Sequence, residues 1–246
     1  MPKFFTDREN IGEKIVLTGD DARHIGRVLR MEKGDKVTVC DKEGTDYHCE
    51  IESITKEDVT LSVIKSEPCP AELGVKITLY QCIPKAGKMD SIIQKATELG
   101  VYEIVPVLSE RCVAKGEKPE RWQKIAYEAA KQCKRGVIPK VRNTLSFSEA
   151  ICEMREKDLA FMPYEEAKDG KISYSGEKTA GFIIGPEGGF DKKEVDEAIE
   201  AGIRICTLGT EFYITGKTSE WFQVDLDGQT GYIFRQFVTV GTYATP

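Results

Sequence analysis

From Val75 onward, short apolar runs bounded by turn residues alternate with longer segments whose apolar residues recur every three or four positions. This rhythm constrains the fold more than any other feature of the chain. Val75 to Ile83, Tyr102 to Leu108, Leu159 to Pro163, Thr179 to Ile184 and Ile203 to Leu208 read as strands. A first helix, from about Lys88, places Met89, Ile92, Ile93, Ala96 and Leu99 on one face and ends at Gly100. A second starts at Pro119 with Trp122, Ile125, Ala126, Ala129 and Cys133 apolar. Ser146 with Glu149, and Asp191 with Glu194, have the spacing of capping boxes and open two more. Strands that return through helices lie parallel, so the expectation is an α/β domain, its sheet covered by helices on both faces.

Residues 1–68 read differently. Alternation in Asp35 to Cys40, Tyr47 to Ile51 and Val59 to Ile64 predicts strands. A single helix between Asp20 and Met31 carries an apolar stripe of Ile25, Val28 and Leu29, with Arg23, Arg27 and Arg30 elsewhere on its surface. A small β-barrel follows from this pattern, and Glu67-Pro68-Cys69-Pro70 reads as an extended linker behind it. With 246 residues there is room for more than one core.

The net charge of −6 excludes a protein that coats nucleic acid indiscriminately. Charge is unevenly spread: Arg111 to Arg142 holds ten Lys or Arg against three Glu, which suits either a selective RNA face or a solvated helix surface. The eight cysteines are scattered without Cys-x-x-Cys pairs or neighbouring histidines, so they read as reduced thiols acting as small hydrophobes, with no metal or redox role. Neither His24 nor His48 has a partner that would make it part of a nucleophilic triad, and His24 reads as a surface residue. Charges by the eighth residue and the lack of an apolar run at the N-terminus lead to the expectation of a cytoplasmic protein, with no membrane partner.

The segment Gly185-Pro186-Glu187-Gly188-Gly189 joins a strand to a capped helix, where open α/β sheets bind ligands. Glycines there permit either a ligand cradle or a merely tight connection. The spacing matches neither the dinucleotide nor the triphosphate glycine motif. Five segments in register then carry a family likeness. Lys85-Ala86-Gly87-Lys88-Met89-Asp90, Gln94 to Val101, Pro106 to Arg111, Glu128 to Gln132 and Ile184 to Phe190 together resemble the RsmE family of SPOUT-class rRNA methyltransferases. The likeness spans roughly residues 1–209, with His24, Val28-Leu29-Arg30 and Gly34-Asp35 similar to that family's PUA-like barrel.

The resemblance implies a PUA-like RNA-binding barrel over 1–68 and a SPOUT-type, trefoil-knotted methyltransferase domain over 74–209. It implies a homodimer that uses S-adenosyl-L-methionine to methylate N3 of a uridine in small-subunit rRNA. Met162, Pro163, Gly185, Pro186, Glu187, Gly188, Gly189, Leu208 and Gly209 would then line the cofactor pocket. Uracil N3 must lose a proton before it accepts a methyl, so a nearby cation or base is required. Arg111, Lys88 and Glu98 are the candidates, with phosphate contact the alternative for the cations and helix pairing for Glu98. Arg23, Arg27, Arg30, Lys85, Arg121, Lys124 and Arg135 are candidate phosphate contacts, or surface charges serving solubility.

After Gly209 the likeness stops. Trp221 to Leu226 and Gly231 to Phe234 read as strands around Asp227-Gly228, and residues 210–246 resemble the later half of a bacterial SH3-like module. The methyltransferase domain is therefore expected to be incomplete at its C-terminal end, with catalysis impaired. Two other readings remain: a non-catalytic RNA-binding protein, and a wall-binding module, against which the lack of an export signal counts.

Overall fold

The computed structural model describes residues 1–85, 87–113, 118–167 and 172–207, together with the backbone of three strands between 213 and 234. The chain divides into two units, Met1–Cys206 and Thr207–Pro246.

The first unit opens with a five-stranded sheet. Its strands are β1 (Lys3–Phe5), β2 (Lys14–Thr18), β3 (Lys36–Cys40), β4 (Thr45–Ile54) and β5 (Asp58–Pro68), in the order β1-β3-β4-β5-β2. Only β1 pairs in parallel, with β3. The β4–β5 register slips at two places, between His48 and Cys49 and between Ile51 and Ser53, and such bulges curl a sheet around its contents. Phe4, Ile15, Leu17, Val37, Val39, Ile51, Val59 and Leu61 fill the curl. The expected linker begins later than Glu67, because β5 runs on through Pro68, which pairs Thr45.

The single helix of this region also departs from expectation. After α1 (Gly19–Arg23) the backbone widens into a π turn over His24–Val28. The wider turn breaks the 3.6-residue spacing, so Ala22 and Ile25 face the core while Val28 and Leu29 stand exposed beside Arg27 and Arg30. His24 is half-buried with its ring edge on Phe4.

The second sheet is built from β6 (Lys76–Cys82), β7 (Glu103–Leu108), β8 (Lys140–Val141), β9 (Leu145–Ser146), β10 (Leu159–Tyr164), β11 (Thr179–Ile184) and β12 (Arg204–Thr207). The order is β12-β10-β11-β6-β7-β8, with β9 also on β7, and the pairs from β10 through β9 are parallel. Adjacent residues of a strand serve opposite faces. Leu79 and Ile104 pack under α2 (Met89–Glu98) and α3 (Pro119–Cys133) with Ile93 and Trp122. Tyr80 and Val105, one residue on, pack under α4 (Phe147–Met154) and α5 (Lys192–Glu200) with Ile151 and Val195. Both capping boxes form, at Ser146 and Asp191.

The two sheets join through polar groups. Arg135, expected on an RNA face, is 2% exposed. Its guanidinium donates to both oxygens of Glu72 and to the carbonyls of Thr97 and Val101. Glu72 Oε1 also accepts the backbone N–H groups of Gly136 and Val137, at 2.7 and 2.9 Å. Nearby, Lys3 Nζ donates to Lys134 O at 3.0 Å and pairs Asp46 at 2.7 Å. Composition alone does not distinguish an arginine that solvates a surface from one that ties the ends of two helices to a linker.

In the second unit β13 (Tyr213–Lys217), β14 (Trp221–Leu226) and β15 (Gln229–Phe234) form an antiparallel sheet in that order. Leu226 pairs Gln229, and the expected turn at Asp227-Gly228 lies outside the described residues.

Replacing Arg135 by Ala strands the Glu72 carboxylate and two buried carbonyls. The expected loss is about 3 to 5 kcal/mol of unfolding free energy, measured by urea titration of tryptophan fluorescence. Arg121→Ala, which removes an exposed pair with Asp90, serves as the control and should cost less than about 1 kcal/mol.

Candidate functional site

Strands β10, β11, β6 and β7 are neighbours and parallel, so the segments that follow them emerge along one edge of the sheet. The glycine turn leaves β11 in the middle of that edge. Lys88, at the start of α2 behind β6, places Nζ 2.9 Å from Glu187 Oε1. The Lys85 backbone N–H reaches both oxygens of the same carboxylate at 3.2 Å. From behind β7, Arg111 donates to Gly188 O at 2.9 Å and to Asp191 Oδ2 at 3.2 Å.

The glycines have separate reasons to be there. Gly189 has φ of +67°, and a Cβ on it would stand 2.5 Å from Glu165 Oε1. A Cβ on Gly185 would press to 3.0 Å against the Phe190 ring, so Gly185 serves the packing of the turn. Gly188 is open to solvent, and its carbonyl is held by Arg111. Thus Lys85, Lys88, Glu187, Gly188, Gly189 and Arg111 converge, and Glu165, Asp191 and Glu194 join them. Sequence reasoning read Asp191 and Glu194 only as caps and passed over Glu165. The acidic pair Glu165-Glu166, one residue beyond the strand predicted to end at Pro163, was the available signal.

Electrostatics keeps the carboxyls of the turn ionised at neutral pH, each paired with a cation. The Lys88 ammonium, helped by the Glu187 and Lys85 backbone N–H groups, pulls the Glu187 carboxyl down to about 2. Asp191 is lowered by the Lys193 backbone N–H and by the Arg111 guanidinium. Both carboxylates are solvent-facing, so screening limits what they add to stability.

Other expected site residues lie elsewhere or are already engaged. Glu98 is exposed and bonds along its own helix to Gln94 and Lys95, the helix-pairing alternative, with no bond to the glycine turn. Met162 is fully buried in the core, because β10 continues to Tyr164 and the alternation turns Met162 inward; Pro163 beside it is half-buried. Leu208 and Gly209 lie outside the described residues. On the basic stretch, Arg121 pairs Asp90, Lys131 pairs Asp21, and Arg142 pairs Glu153 and Glu103. Lys124 is exposed and has no ion pair among the described residues, as is true of Arg27 and Arg30, whereas Arg23 pairs Asp20.

A cavity of about 900 Å³ has Asp191 and Glu194 in its lining, with Ile83, Ser109, Cys112 and Phe147 among others. It does not include the glycines. The convergence of charged groups on an open backbone turn marks the site better than this volume, because ligand recognition at a sheet edge needs exposed backbone groups.

Residues 71–212 match the RNA methyltransferase domain family, and residues 17–64 match the RNA methyltransferase PUA domain family. With the curled sheet, the parallel sheet and the turn at its edge, this defines the class: an RNA methyltransferase of SPOUT type with a PUA-like domain ahead of it. The chain is 36% identical over 208 residues to the ribosomal RNA small subunit methyltransferase E of Bacillus subtilis, covering 78% of this chain and 81% of that protein. It is 34% identical over 210 residues to the protein of that name from Aquifex aeolicus, covering 83% and 90%. The crystal structure of the Neisseria gonorrhoeae protein of that name, bound to S-adenosyl methionine, superposes with a TM-score of 0.75 at 30% identity, covering 85% of this chain and 89% of that one. The chain belongs to the ribosomal RNA small subunit methyltransferase E family. Among the described residues no helix is long and apolar enough to cross a membrane.

The depressed Glu187 carboxyl gives a direct check on the site. Its pairing contributes to the folded state above the ordinary carboxylate pKa and is lost as pH falls toward 2. A carbon-detected NMR titration of Glu187 should show that low midpoint, and Lys88→Ala should return it toward the ordinary value near 4.3.

Proposed function

We propose that the chain transfers a methyl group from S-adenosylmethionine to N3 of a uridine in small-subunit ribosomal RNA. The observation that carries this reading is the convergence of Lys88, Arg111 and Glu165 on the Gly185 to Gly189 turn, in a family whose Neisseria member binds that cofactor. The donor set fits the group: a side-chain-free turn at Gly188 and Gly189 offers backbone atoms, and the Glu165 and Glu187 carboxylates suit a ligand carrying a sulfonium and an ammonium. When bound, the cofactor supplies an electrophilic methyl.

The chain's own residues do the rest. The N3 proton must leave, and negative charge then spreads over the uracil oxygens. Arg111, exposed and anchored at Gly188, is the cation placed to stabilise that charge, with Lys88 holding Glu187 in place beside it. To meet a substrate oxygen, Arg111 exchanges its bond to Asp191, which keeps the guanidinium aimed until then. RNA phosphates are met by Arg27, Arg30 and Lys124, with Arg23 released from Asp20. Domain limits of 1–68, 74–209 and 210–246, and a homodimer, belong to the same reading.

The family match ends at residue 212, and the second unit there is a three-stranded sheet. Cofactor affinity is accordingly expected to be weak. Losing two or three hydrogen bonds of about 1 kcal/mol each weakens binding by roughly one to two orders of magnitude. Calorimetry decides it, comparing the full chain with a version whose residues after Gly209 are those of the Bacillus subtilis relative. Equal, micromolar affinity for both would show that the tail restores the pocket. In a tritium-transfer assay with the restored version and small ribosomal subunits, Arg111→Ala should lower kcat by about 100-fold or more while cofactor affinity changes little. Absence of transfer by the restored version itself would favour a non-catalytic RNA-binding protein.

RNA association gives a separate check. Reversing Arg23, Arg27, Arg30 and Lys124 to Glu should abolish binding in filter titrations. Reversing them one at a time should flatten the salt dependence by about 0.9 in log–log slope for each duplex phosphate no longer neutralised. Reversing Arg121, already paired with Asp90, should matter far less.

A further inference from the structure

The turn that follows α1 turns apolar side chains out to solvent where ordinary helical spacing would bury them. A helix continued from Ala22 and Ile25 sets Val28 and Leu29 on the same inward stripe. Instead the Leu29 N–H reaches back to the His24 carbonyl at 2.9 Å, and the Met31 N–H to the Ile25 carbonyl at 3.1 Å, so the backbone is wider than an α-helix there. Arg30 then takes φ of +53°, a left-handed conformation that a residue with a side chain adopts at a cost. Ile25 is buried in the core and Met31 packs against it, while the residues 27–30 all stand outside, with Val28 67% and Leu29 40% exposed.

The charge around this tip is cationic on balance. Arg27 and Arg30 bracket the apolar pair, neither has an ion pair among the described residues, and exposed Lys33 and Lys36 follow. The exposed acids of the same stretch are Glu32 and Asp35, and the Asp35 carboxylate is turned onto the Glu32 N–H at 2.8 Å. Asp20 and Asp21, earlier on α1, are taken by Arg23 and Lys131.

We propose that the tip from Arg27 to Arg30 is a wedge for unpaired RNA: Val28 and Leu29 pack on the face of an unstacked base while Arg27 and Arg30 hold the phosphates on either side of it. The inference rests on the reading of these arginines as RNA contacts and adds which kind of RNA they meet. Phosphates give an apolar side chain nothing to bury against, and in an A-form duplex the base faces are covered by their stacked neighbours. A loop, bulge or strand end exposes a base face, and packing on such a face tolerates any base. A wedge must also be stiff, because ordering a loose segment on binding weakens the complex. Here the wide turn and the left-handed Arg30, anchored by Ile25 and Met31, fix the tip before RNA arrives.

Apolar contact and phosphate contact differ in their salt dependence, since the second releases counterions and the first does not. The test uses the full chain and two RNAs with the same number of phosphates, a hairpin with an unpaired loop and a fully paired duplex, in filter titrations at several salt concentrations. Val28→Ser with Leu29→Ser should weaken hairpin binding about tenfold, leave its log–log salt slope unchanged and leave duplex binding within about twofold. Val28→Ile with Leu29→Met, which keeps the apolar surface, should bind the hairpin as the unmodified chain does. Arg27→Gln with Arg30→Gln should weaken both RNAs and flatten both slopes. Should the serine variant fail to fold, 4-thiouridine in the hairpin loop decides on the unmodified chain, where cross-links within residues 27–30 are expected. The inference is overturned if the serine variant binds the hairpin as tightly as the unmodified chain, if hairpin and duplex weaken equally, or if the cross-links avoid the tip. It is also overturned if the serine variant loses self-association in sedimentation while its RNA binding is unchanged, which makes the tip a contact with a second copy of the chain. Each of these leaves the phosphate reading of the arginines standing, whereas unchanged salt slopes in the glutamine variant, or no binding of either RNA by the unmodified chain, remove that reading and the inference together.

Discussion

Burying the Arg135 guanidinium would destabilise the fold by several kcal/mol if its donors were left unpaired. The chain meets that demand with groups from separate segments: Glu72 from the stretch between the sheets, and the Thr97 and Val101 carbonyls around the end of α2. Glu72 in turn takes the Gly136 and Val137 N–H groups just beyond α3. A Cβ on Gly136 would fall 2.6 Å from Cys69 Cβ, so the chains cross there with no room for a side chain. The ion pair adds less net stability than an apolar plug of the same volume could. What it gives is a fixed joint between the curled sheet and the helices that cover the parallel one, and so a fixed relation between the exposed arginines of the first and the edge of the second.

At that edge the order of strands matters more than any single residue. Since β11 lies between β10 and β6, the glycine turn leaves the sheet flanked by the ends of both, and β7 stands one strand further on. Arg111, 77 residues from Gly188 in the chain, is brought to its carbonyl by that order alone. The charged groups are paired with one another in the described structure: Lys88 with Glu187, and Arg111 with Asp191. Such pairs cost little to open at an exposed edge, which lets a cation be aimed before its substrate arrives without being locked away from it.

How legible this was depended on the range of the interaction. The strand and helix rhythm, the two capping boxes and the turn at Gly185 to Gly189 are local patterns, and each is found where the sequence placed it. The five motifs in register pointed to the family directly. Burial of Arg135, by contrast, depends on a glutamate 63 residues away, and the pairing of Arg121 on an aspartate, Asp90, 31 residues away. Neither leaves a mark in the sequence: Arg135 is buried where a phosphate contact or surface charge was expected, and Arg121 stays at the surface but already paired. The short strands β1 and β2 were missed because three and five residues carry too little alternation, and Val28 and Leu29 were misplaced because a π turn does not keep the helical period. Met162, expected to line the cofactor pocket, has its side chain in the core because β10 runs on to Tyr164.

The capping box of α5 shows how one local signal can carry more than its own helix. Asp191 Oδ1 caps the Lys193 N–H while Oδ2 holds Arg111. Glu194 Oε2 returns to the Asp191 N–H, and Oε1 takes the N–H of Glu110, which precedes Arg111. The helix start is therefore bonded twice to the segment behind β7, on either side of one peptide unit. Cys112 follows in that same segment, with its sulfur turned back on Ser109 and the Val107 carbonyl at the end of β7. Three consecutive residues, Glu110, Arg111 and Cys112, thus face different neighbours: the α5 cap, the glycine turn and the end of β7. A peptide segment held at three successive positions has little freedom to shift one without the others.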